Sequence, residues 1–367
     1  MEKVYEISTA EIAQNLSVLR KTVGDARIYA VLKGNAYGMG LAQFAAVLYQ
    51  NELRHFALTA LTDALALRAQ LPDADILLLT PCTMPQDAAD AIDASITLSV
   101  GSYENAKMIS DIASEHKRDA TVHIQMDTGM GRYGFLPQAL SEIQAACACP
   151  HLIAEGIYTH LHSAFAPKEK SALAQFSVFE QVIEALQREG LSFPVRHICN
   201  STAVFRFPQM HLTAVRVGSA LIGRVPPICS ATGLCKVGKL YGQVLEVRQL
   251  PKGHNVGYAG LYRTRSEQKI ATVNVGYADG IAIGKQNDTF RFIDILRYGF
   301  NDFKLLFHPT PLVCLINGER ATSLGRIGMT NLVLNVDPLY DIHPGERVEI
   351  PVNPIYLSPF ICRRYVD

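Results

Sequence analysis

The sequence predicts an α/β protein in which a parallel (β/α)8 barrel of the TIM type precedes a mainly antiparallel β domain. The chain has 367 residues, and a single hydrophobic core stops growing at about 250–300 residues, so two domains are expected. Residues 8–220 alternate short apolar runs with segments of helical period, whereas strand signals dominate the last third. We expect the barrel domain to span residues 1–235 and the β domain to span residues 236–367.

Eight apolar runs and the helical segments between them predict the barrel. The first helix follows Ser8, whose spacing from Glu11 is that of a capping box, and it ends at Gly24. The predicted strands lie near residues 28–32, 55–59, 76–80, 96–100, 121–126, 153–158, 195–198 and 213–217. The clearest helical segments are residues 41–50, 62–70, 103–116 and 168–188. Eight such alternations favour a closed parallel barrel, whose active site lies at the carboxyl ends of its strands.

The pattern changes near Pro226 and Pro227, and the stretch that follows, to about Val237, is rich in turn-forming residues. Beyond it, strand signals alternate with Gly, Pro, Asn and Asp, as is typical of antiparallel sheets. The predicted strands are residues 244–250, 269–275, 312–316, 332–336 and 347–350.

The composition favours a small-molecule enzyme. The chain has 34 basic and 34 acidic side chains and a formal net charge of zero, so no electrostatic signal for nucleic acid or an anionic membrane is present. No apolar run is long enough to span a membrane, the start of the sequence lacks a signal-peptide pattern, and a cytoplasmic protein is expected. The eight cysteines are scattered without a Cys-x-x-Cys pair, which predicts buried thiols rather than a metal site.

Lys33 is the first candidate for chemistry, because it directly follows the apolar run at residues 28–32 and precedes a glycine-rich segment. A lysine at a strand end is usually a surface residue. Where its surroundings disfavour the ammonium form, however, the pKa of the amine falls, and the amine can condense with a carbonyl group. Gly34, Gly38 and Gly40 would let the backbone approach a ligand closely.

The segment from Ala30 to Gly40 resembles the lysine motif of the alanine racemases, and the resemblance extends over nearly the whole chain. The resemblance implies that Lys33 holds pyridoxal 5'-phosphate, and that the chain forms a head-to-tail homodimer whose active sites use residues from both subunits. It also implies that a small amino acid is the substrate.

Three further segments resemble family motifs whose residues take part in the reaction. Residues 273–280 resemble the motif whose tyrosine is the second base, which implies that Tyr277 faces Lys33 across the substrate. Residues 126–134 resemble the segment whose arginine contacts the cofactor and the substrate carboxylate, a role that falls to Arg132. Residues 215–218 resemble the motif whose arginine faces the pyridine nitrogen, a role that falls to Arg216. A permanently charged guanidinium does not act as an acid there, so the ring should be a weak electron sink, which favours racemisation over transamination.

The resemblance also implies a phosphate site. Residues 197–201 are similar to the family segment with a cofactor-binding serine, which implies that Ser201 donates its hydroxyl to the phosphate. Tyr37 and the backbone amides of Gly218 and Ser219 would join it. The family's phosphate-contacting tyrosine near the C-terminus corresponds either to Tyr356, which we favour because it has the hydroxyl, or to Phe360.

Two more residues follow from family motifs. Residues 158–160 resemble the motif whose histidine packs beside the pyridine ring, which implies that role for His160. Residues 325–329 resemble a segment that lines the substrate pocket from the partner subunit, which implies that role for Met329.

Several positions depart from the family pattern. Gln125 replaces a lysine that can be carbamylated, and its amide could still hydrogen-bond to Arg132. Met39 replaces a histidine, and Gly328 and Thr330 flank Met329 in place of Cys and Asp. The segment between Gly280 and Cys314 is longer than the family pattern and rich in aromatic residues, which could form a dimer-contact or entrance loop or an extended hairpin.

The sequence therefore predicts a pyridoxal phosphate-dependent isomerase, most simply one that interconverts L-alanine and D-alanine and supplies D-alanine for the bacterial cell wall. A racemase of another amino acid such as serine remains an alternative, as does a lyase or a non-catalytic carrier of pyridoxal phosphate on the same barrel. A zinc-requiring lyase should have a His/Cys pair near the C-terminus, where this chain has only Cys362 beside Arg363 and Arg364.

Overall fold

The computed structural model describes residues 2–229, 233–284, 287, 290–305, 307, 310–339 and 341–367. The chain divides into two compact units, one made of Ser8–Val237 with Asp367 and the other of Met1–Ile7 with Gly238–Val366. The first strand, β1 (Val4–Ser8), pairs with a strand of the second unit, with Val4 opposite Tyr241. The barrel domain was predicted to span residues 1–235, but residues 1–7 belong to the C-terminal unit. Local sequence does not reveal that the partner strand of β1 lies more than 200 residues away.

The barrel unit is a closed barrel of eight parallel strands, which confirms the predicted fold class. The strands are β2 (Arg27–Val31), β3 (His55–Leu58), β4 (Asp75–Leu78), β5 (Thr97–Val100), β6 (Ala120–Gln125), β7 (Leu152–Tyr158), β8 (Val195–His197) and β9 (Ala214–Val217). Each coincides with one of the eight predicted runs. β2 pairs with β9 in parallel, with Ile28 opposite Val215, and this pairing closes the barrel. Because parallel strands are buried on both faces, they appear in the sequence as continuous apolar runs.

Helices alternate with these strands. They are α1 (Thr9–Val23), α2 (Lys33–Tyr37), α3 (Leu41–Gln50), α4 (Leu61–Gln70), α5 (Pro85–Asp93), α6 (Tyr103–Glu115), α7 (Leu140–Cys147), α8 (Lys170–Arg188) and α9 (Ser201–Arg206). The Ser8 hydroxyl accepts a hydrogen bond from the Glu11 amide at 3.2 Å, and Gly24 ends the helix with a φ of 59°, as the sequence predicts for α1. The four clearest predicted helical segments correspond to α3, α4, α6 and α8.

The C-terminal unit is built on a mainly antiparallel sheet of eight strands in the order β13-β16-β15-β14-β17-β10-β1-β18, and an additional pairing joins β13 to β10. Its strands are β10 (Lys239–Leu250), β11 (Asn255–Val256), β12 (Tyr262–Arg263), β13 (Gln268–Val273), β14 (Val313–Ile316), β15 (Glu319–Leu324), β16 (Leu332–Asn335), β17 (Arg347–Ile350) and β18 (Cys362–Val366). The five predicted strands are β10, β13, β14, β16 and β17. The short pair of β11 and β12 forms a separate two-stranded sheet.

The long aromatic segment of the C-terminal unit, for which the sequence left open a dimer-contact or entrance loop or an extended hairpin, is partly helical. It contains a helix, α10 (Phe292–Leu305), with an acidic residue in its first turn and a lysine in its last. Asp294 is buried and forms ion pairs with Arg291 and Arg297. Residues 285, 286, 288, 289, 306, 308 and 309 of this segment, and residues 230–232 of the turn-rich stretch, lie outside the described part of the chain.

Among the described residues, no helix combines the length and the apolar character that a membrane span requires.

Candidate active site

Lys33 lies directly beyond the carboxyl end of β2, at the start of a left-handed turn. Gly34, Asn35 and Ala36 have φ near 53–62° and ψ near 50°, and Tyr37 follows with a φ of 56°. Left-handed backbone costs about 1–2 kcal/mol for each residue other than glycine. Hydrogen bonds offset part of this cost, since the Asn35 side-chain oxygen accepts from the Leu41 amide at 2.8 Å. Backbone strain of this kind is concentrated at functional sites.

The surroundings of Lys33 disfavour its ammonium form. The side chain is accessible to water, yet it lies among enough protein atoms that desolvation lowers its pKa, and the positive charges of Arg132 and Arg216 lower the pKa further. Both arginines therefore lie within electrostatic reach of the amine. A lowered pKa increases the fraction of neutral amine, which is the nucleophilic and basic form.

The left-handed turn brings Tyr37 against Gly218, which follows β9. The Tyr37 hydroxyl lies so close to Gly218 that a Cβ atom at this position would overlap the phenol. Burial raises the pKa of Tyr37 to about 12, so its hydroxyl remains a hydrogen-bond donor at neutral pH. Gly218 is thus required for the close approach of Tyr37 to the end of β9.

Ser201 lies at the start of α9, next to the same loop. Its hydroxyl oxygen accepts hydrogen bonds from the amides of Gly218, at 3.0 Å, and Ala220, at 3.2 Å. A hydroxyl has a single proton to donate, and with its oxygen engaged in this way the proton is directed to a third group. The structure therefore brings together Ser201, Tyr37 and the loop of Gly218 and Ser219, four positions that the sequence predicts for one anion site.

The loop that carries Arg132 is organised around a carboxylate. Asp127 accepts hydrogen bonds from the amides of Gly129, Met130, Gly131 and Arg132, at 2.7–3.2 Å. Burial raises the pKa of Asp127, but the four amides lower it by more, so the carboxylate stays ionised. This role of Asp127 was not predicted from the sequence, although an aspartate two residues before a Gly-x-Gly pattern is a recognisable signal for such a nest.

Gln125, at the end of β6, does not take the role suggested for it. Its side-chain oxygen is buried and has no hydrogen-bond partner among the described residues, and no bond to Arg132 is formed. Its backbone oxygen instead accepts from the Phe135 amide at 2.9 Å, which returns the Arg132 loop to the barrel. Arg132 itself is exposed, and its guanidinium lies over the Tyr133 ring at 5.5 Å.

Arg216 is buried at the end of β9, where it contacts other residues of the barrel. Its guanidinium donates to the Thr159 carbonyl oxygen at 2.7 Å and lies 3.3 Å from Nδ1 of His160. A second branch reaches Nδ1 of His197 at 2.6 Å. Burial lowers the pKa of Arg216 to about 10, which still leaves it charged at neutral pH.

His160 is held neutral beside this arginine. Burial, together with the charges of Arg216, Arg132 and Lys33, lowers the pKa of His160 to about 3. The same charges show that His160, Arg216, Arg132 and Lys33 lie within electrostatic reach of one another. His197 and Tyr158, whose ring stacks on His197 at 4.8 Å, were not predicted from the sequence as site residues.

In the C-terminal unit, Tyr277 and Met329 lie side by side. The Tyr277 amide donates to the Gly328 carbonyl oxygen and the Ala278 amide to the Met329 carbonyl oxygen, both at 3.0 Å. A Cβ on Gly276 would overlap these two carbonyl groups, so only glycine permits the close backbone contact. The side chains remain accessible, with exposed fractions of 46% for Tyr277 and 57% for Met329.

Asp279 stabilises the turn that carries Tyr277. Its carboxylate accepts from the Gly276 amide at 2.9 Å and forms an ion pair with Lys3 at 2.9 Å. No role for Asp279 was predicted from the sequence, and its partner Lys3 was hidden by its distance along the chain.

The two candidates for the C-terminal tyrosine position differ in environment. Tyr356 is half-buried, and its backbone carbonyl touches Gly280, directly after the Tyr277 turn. Phe360 is 95% exposed. The backbone of Tyr356 thus lies beside the Tyr277 turn, and the choice of Tyr356 over Phe360 stays a prediction.

The substituted positions are accommodated without disruption. Met39 is completely buried and fills a core position behind the lysine turn. Thr330 is exposed, and Gly328 is buried where a Cβ would lie 2.8 Å from the side-chain oxygen of Asn331.

Comparison with known proteins agrees with this geometry. The family profile described as alanine racemase, N-terminal domain, matches residues 7–226, and the profile described as alanine racemase, C-terminal domain, matches residues 237–354. An alanine racemase of Desulforamulus reducens is 32% identical over 362 residues, which cover 95% of this chain and 91% of that protein.

Solved structures give the same result. An alanine racemase of Clostridium difficile 630 superposes with a TM-score of 0.87 at 25% identity, covering 100% of this chain and 96% of the other. An alanine racemase of Bartonella henselae with covalently bound pyridoxal phosphate superposes with a TM-score of 0.83 at 23% identity, over 100% of both chains. The resemblance inferred from the motifs is confirmed, and this chain belongs to the alanine racemase family.

Proposed function

We propose that this protein is a pyridoxal phosphate-dependent alanine racemase, which interconverts L-alanine and D-alanine with Lys33 and Tyr277 as its two bases. One observation carries the proposal. At one end of the barrel, an amine with a lowered pKa, a buried arginine and an anion cradle of hydroxyl and amide groups are assembled from different strands. D-alanine made in this way would serve the bacterial cell wall.

The barrel residues fit the cofactor. The hydroxyls of Ser201 and Tyr37 and the amides of Gly218 and Ser219 supply donors for a phosphate, and a side chain on Gly218 would fill the space that Tyr37 occupies. Lys33 would hold the cofactor covalently, His160 would flank its ring, and Tyr356 would add a phosphate contact. When bound, pyridoxal phosphate supplies an aldehyde that takes up the substrate amine and a ring that withdraws electrons from the α-carbon.

Arg216 would face the ring nitrogen. Its charge persists at neutral pH despite burial, and a guanidinium donates hydrogen bonds without giving up a proton. The ring nitrogen would therefore remain unprotonated and withdraw electrons weakly. Rapid return of the proton to the α-carbon is then favoured over transamination.

Racemisation requires two groups, because one must remove the α-proton from one face and the other must return a proton to the opposite face. The neutral form of Lys33 is favoured by desolvation and by two neighbouring cations, which suits its role as one base. Tyr277 would act from the other face, and Arg132 would hold the substrate carboxylate between them. Met329, beside Tyr277, would limit the size of the substrate side chain.

We further propose a homodimer in which Tyr277, Met329 and Tyr356 complete the site of the partner subunit. Tyr277 and Met329 are exposed on one surface of the C-terminal unit, although an acid/base residue works best in a site from which water is excluded. Coverage by a second copy would provide that exclusion. The eight cysteines are free thiols, which fits work in the reducing cytoplasm.

The proposal is tested by incubating purified protein and pyridoxal phosphate with L-alanine in D₂O. Loss of the α-proton is followed by NMR, and the handedness of the product by chiral chromatography. The proposal predicts deuterium incorporation with formation of D-alanine. Inversion of serine but not of alanine would show that serine is the substrate. Exchange accompanied by elimination would indicate a lyase. Absence of exchange with every amino acid, despite bound cofactor, would indicate a carrier.

A further inference from the structure

A continuous chain of polar side chains crosses the interior of the barrel below the candidate site. Nη1 of Arg216 contacts Nδ1 of His197 at 2.6 Å, and Nε2 of His197 contacts Nδ1 of His123 at 2.9 Å. Nε2 of His123 lies 3.7 Å from the Glu155 carboxylate, which is close enough for an electrostatic interaction but too far for a hydrogen bond, and it has no hydrogen-bond partner among the described residues. Both histidine rings have an exposed fraction of 0%, whereas Glu155 reaches the solvent. The candidate site is thus connected to a carboxylate on β7 through two buried rings.

The hydrogen-bond donors and acceptors along this row of side chains can be assigned in only one way. A guanidinium has no acceptor, so Nδ1 of His197 must accept from Arg216 and the ring proton of neutral His197 must be on Nε2. That proton is donated to Nδ1 of His123, which places the second ring's proton on Nε2, facing Glu155. If the proton of His123 were on Nδ1 instead, the N–H group of His197 would face a second N–H group and no hydrogen bond could form between the two rings. The Glu155 carboxylate faces this N–H group, and its negative charge attracts the N–H dipole, which favours the forward direction.

The electrostatics of the chain agree with this assignment. Burial is the largest cause that lowers the pKa of His123, with Glu155 acting in the opposite sense, and burial with the charge of Arg216 lowers the pKa of His197. Both rings are therefore neutral near pH 7, between a cation at one end and an anion at the other. The chain does not deliver protons to the site, because Arg216 does not accept one.

Two backbone features are built around the chain. Val122 is paired with Ala154 but His123 with Gly156, so Glu155 is an extra residue in β7, a β-bulge that redirects its side chain. A Cβ on Gly156 would lie 2.6 Å from the His123 ring. The glycine therefore leaves the space in which the His123 ring fits.

Aromatic rings fix His197 from two sides. Tyr158 stacks on His197 with ring centroids 4.8 Å apart and an interplanar angle of 14°, and Tyr29 stacks at 5.6 Å and 22°. Tyr29 also meets the edge of His123 at 6.2 Å. Confined in this way, His197 has little freedom to follow Arg216 if the hydrogen bond between them is lost.

We propose that Glu155, His123 and His197 are positioning residues that fix Arg216, and hence its contact with the cofactor ring, from inside the barrel. The inference rests on the proposed function for the identity of the ligand that Arg216 meets. The fixed orientation of Arg216 does not depend on that ligand. Glu155 would thus influence reaction chemistry without touching substrate or cofactor.

The experiment replaces Glu155 by Leu, which removes the oxygen atoms that face Nε2 of His123, and by Gln, which keeps one of them. The control is Asp119→Leu, because Asp119 contacts His151 at 3.0 Å just before the same two strands but on the surface. Proteins labelled with ¹⁵N-histidine are studied with pyridoxal phosphate bound and without it. The ring-nitrogen signals of His123 and His197 report which nitrogen carries the proton, a readout that a general loss of stability would not move.

In the unaltered protein we expect both rings to be protonated on Nε2. In Glu155→Leu the signals should show a mixture of Nδ1- and Nε2-protonated rings. The kcat for alanine should fall about tenfold with KM changed less than twofold, since a small misplacement of a positioning group acts mainly on the chemical step. Glu155→Gln should keep both the ring signals and kcat close to those of the unaltered protein, and Asp119→Leu should change neither readout.

Unchanged His123 and His197 signals in Glu155→Leu would overturn the inference, as would a Glu155→Leu enzyme with full kcat. The proposed function can fail separately. If the unaltered protein does not racemise alanine but its ring signals respond to Glu155→Leu, the positioning chain is upheld and only the assigned reaction falls.

Discussion

In the barrel unit the candidate site residues touch one another, whereas in the C-terminal unit they stand on the surface and are held by their backbone. Arg216 is fixed by Thr159, His160 and His197, and Ser201 is fixed by the loop of Gly218. Tyr277 and Met329, by contrast, are held through main-chain hydrogen bonds, and their side chains are about half exposed.

The difference teaches how the work is divided between the units. Side-chain networks in the barrel can hold a cofactor and tune its electronics, because each group is oriented by another that is also buried. A rigid turn with an exposed side chain is suited to supply a group to another surface. The same distinction predicts different consequences for changes in the two units.

The largest effect is expected for Lys33→Ala, which removes the amine of the barrel unit. Racemisation should fall by at least about 10³-fold, because both the covalent anchor and one base are lost. Borohydride reduction followed by mass spectrometry should no longer show cofactor attached to the protein. Lys107→Ala, on the exposed face of α6, is the matched control and should behave as the unaltered protein.

Tyr277→Phe is expected to lower kcat by about 10²- to 10³-fold, because a proton donor and acceptor is removed from one face only. The α-deuterium isotope effect should change more in one direction of the reaction than in the other. Cofactor affinity should be retained, since the barrel unit is untouched. Equal isotope effects in both directions would contradict the assignment of Tyr277, and Tyr103→Phe on α6 is the control.

Gly218→Ala tests the cradle of the barrel unit. The added methyl group would overlap the Tyr37 phenol, and overpacking of this kind costs about 1–3 kcal/mol. The affinity for pyridoxal phosphate should fall about tenfold or more, as measured by fluorescence titration of the apoprotein. An unchanged dissociation constant would show that the cofactor does not use this cradle.

Gly276→Ala is the corresponding change in the C-terminal unit. The added methyl group would overlap the Met329 and Gly328 carbonyls, so we expect a loss of about 1–3 kcal/mol in the free energy of unfolding and a lower kcat without a change in cofactor affinity. Gly299→Ala, in α10, meets no atom within 4 Å and should stabilise the protein by up to about 1 kcal/mol. Urea denaturation compares the two.

The smallest effect concerns the pH dependence of stability. The pKa of His160 is about 3 in the folded protein, against 6.5 for the ordinary group. The unfolded chain therefore binds a proton that the folded protein rejects, and the free energy of unfolding falls as the pH drops from about 6.5 towards 3. His160→Gln should lessen the fall between pH 6.5 and pH 5 by about 1–2 kcal/mol. Equal slopes for the two proteins would exclude this role of His160.

The sequence predicts the barrel strands well, because each is a short apolar run buried on both faces. It fails where structure depends on distant partners. β1 belongs with β10, and Val4 lies opposite Tyr241 only after folding. β15 and β18 carry too many polar residues to stand out, and α10 was missed because its aromatic residues and Gly299 resemble a loop.

The site shows the same division. Motifs placed Lys33, Ser201 and Arg216 in one barrel, and the structure brings them to one end of it. The chain from Arg216 to Glu155 was not predictable, because a histidine within a strand gives no sign of the ring it will meet across the barrel. The bulge that redirects Glu155 has no separate sequence signal beyond Gly156.

The division of the site between two subunits is tested most directly by mixing two inactive variants. Lys33→Ala and Tyr277→Phe proteins are dissociated together, reassembled in equal amounts and tested for racemisation of alanine. If Lys33 of one subunit works with Tyr277 of the other, half of the dimers are hybrids with one intact site, and about a quarter of the original activity should return. If activity stays at the level of the separate variants although hybrid dimers have formed, both residues serve the same subunit's site, and a shared site is contradicted.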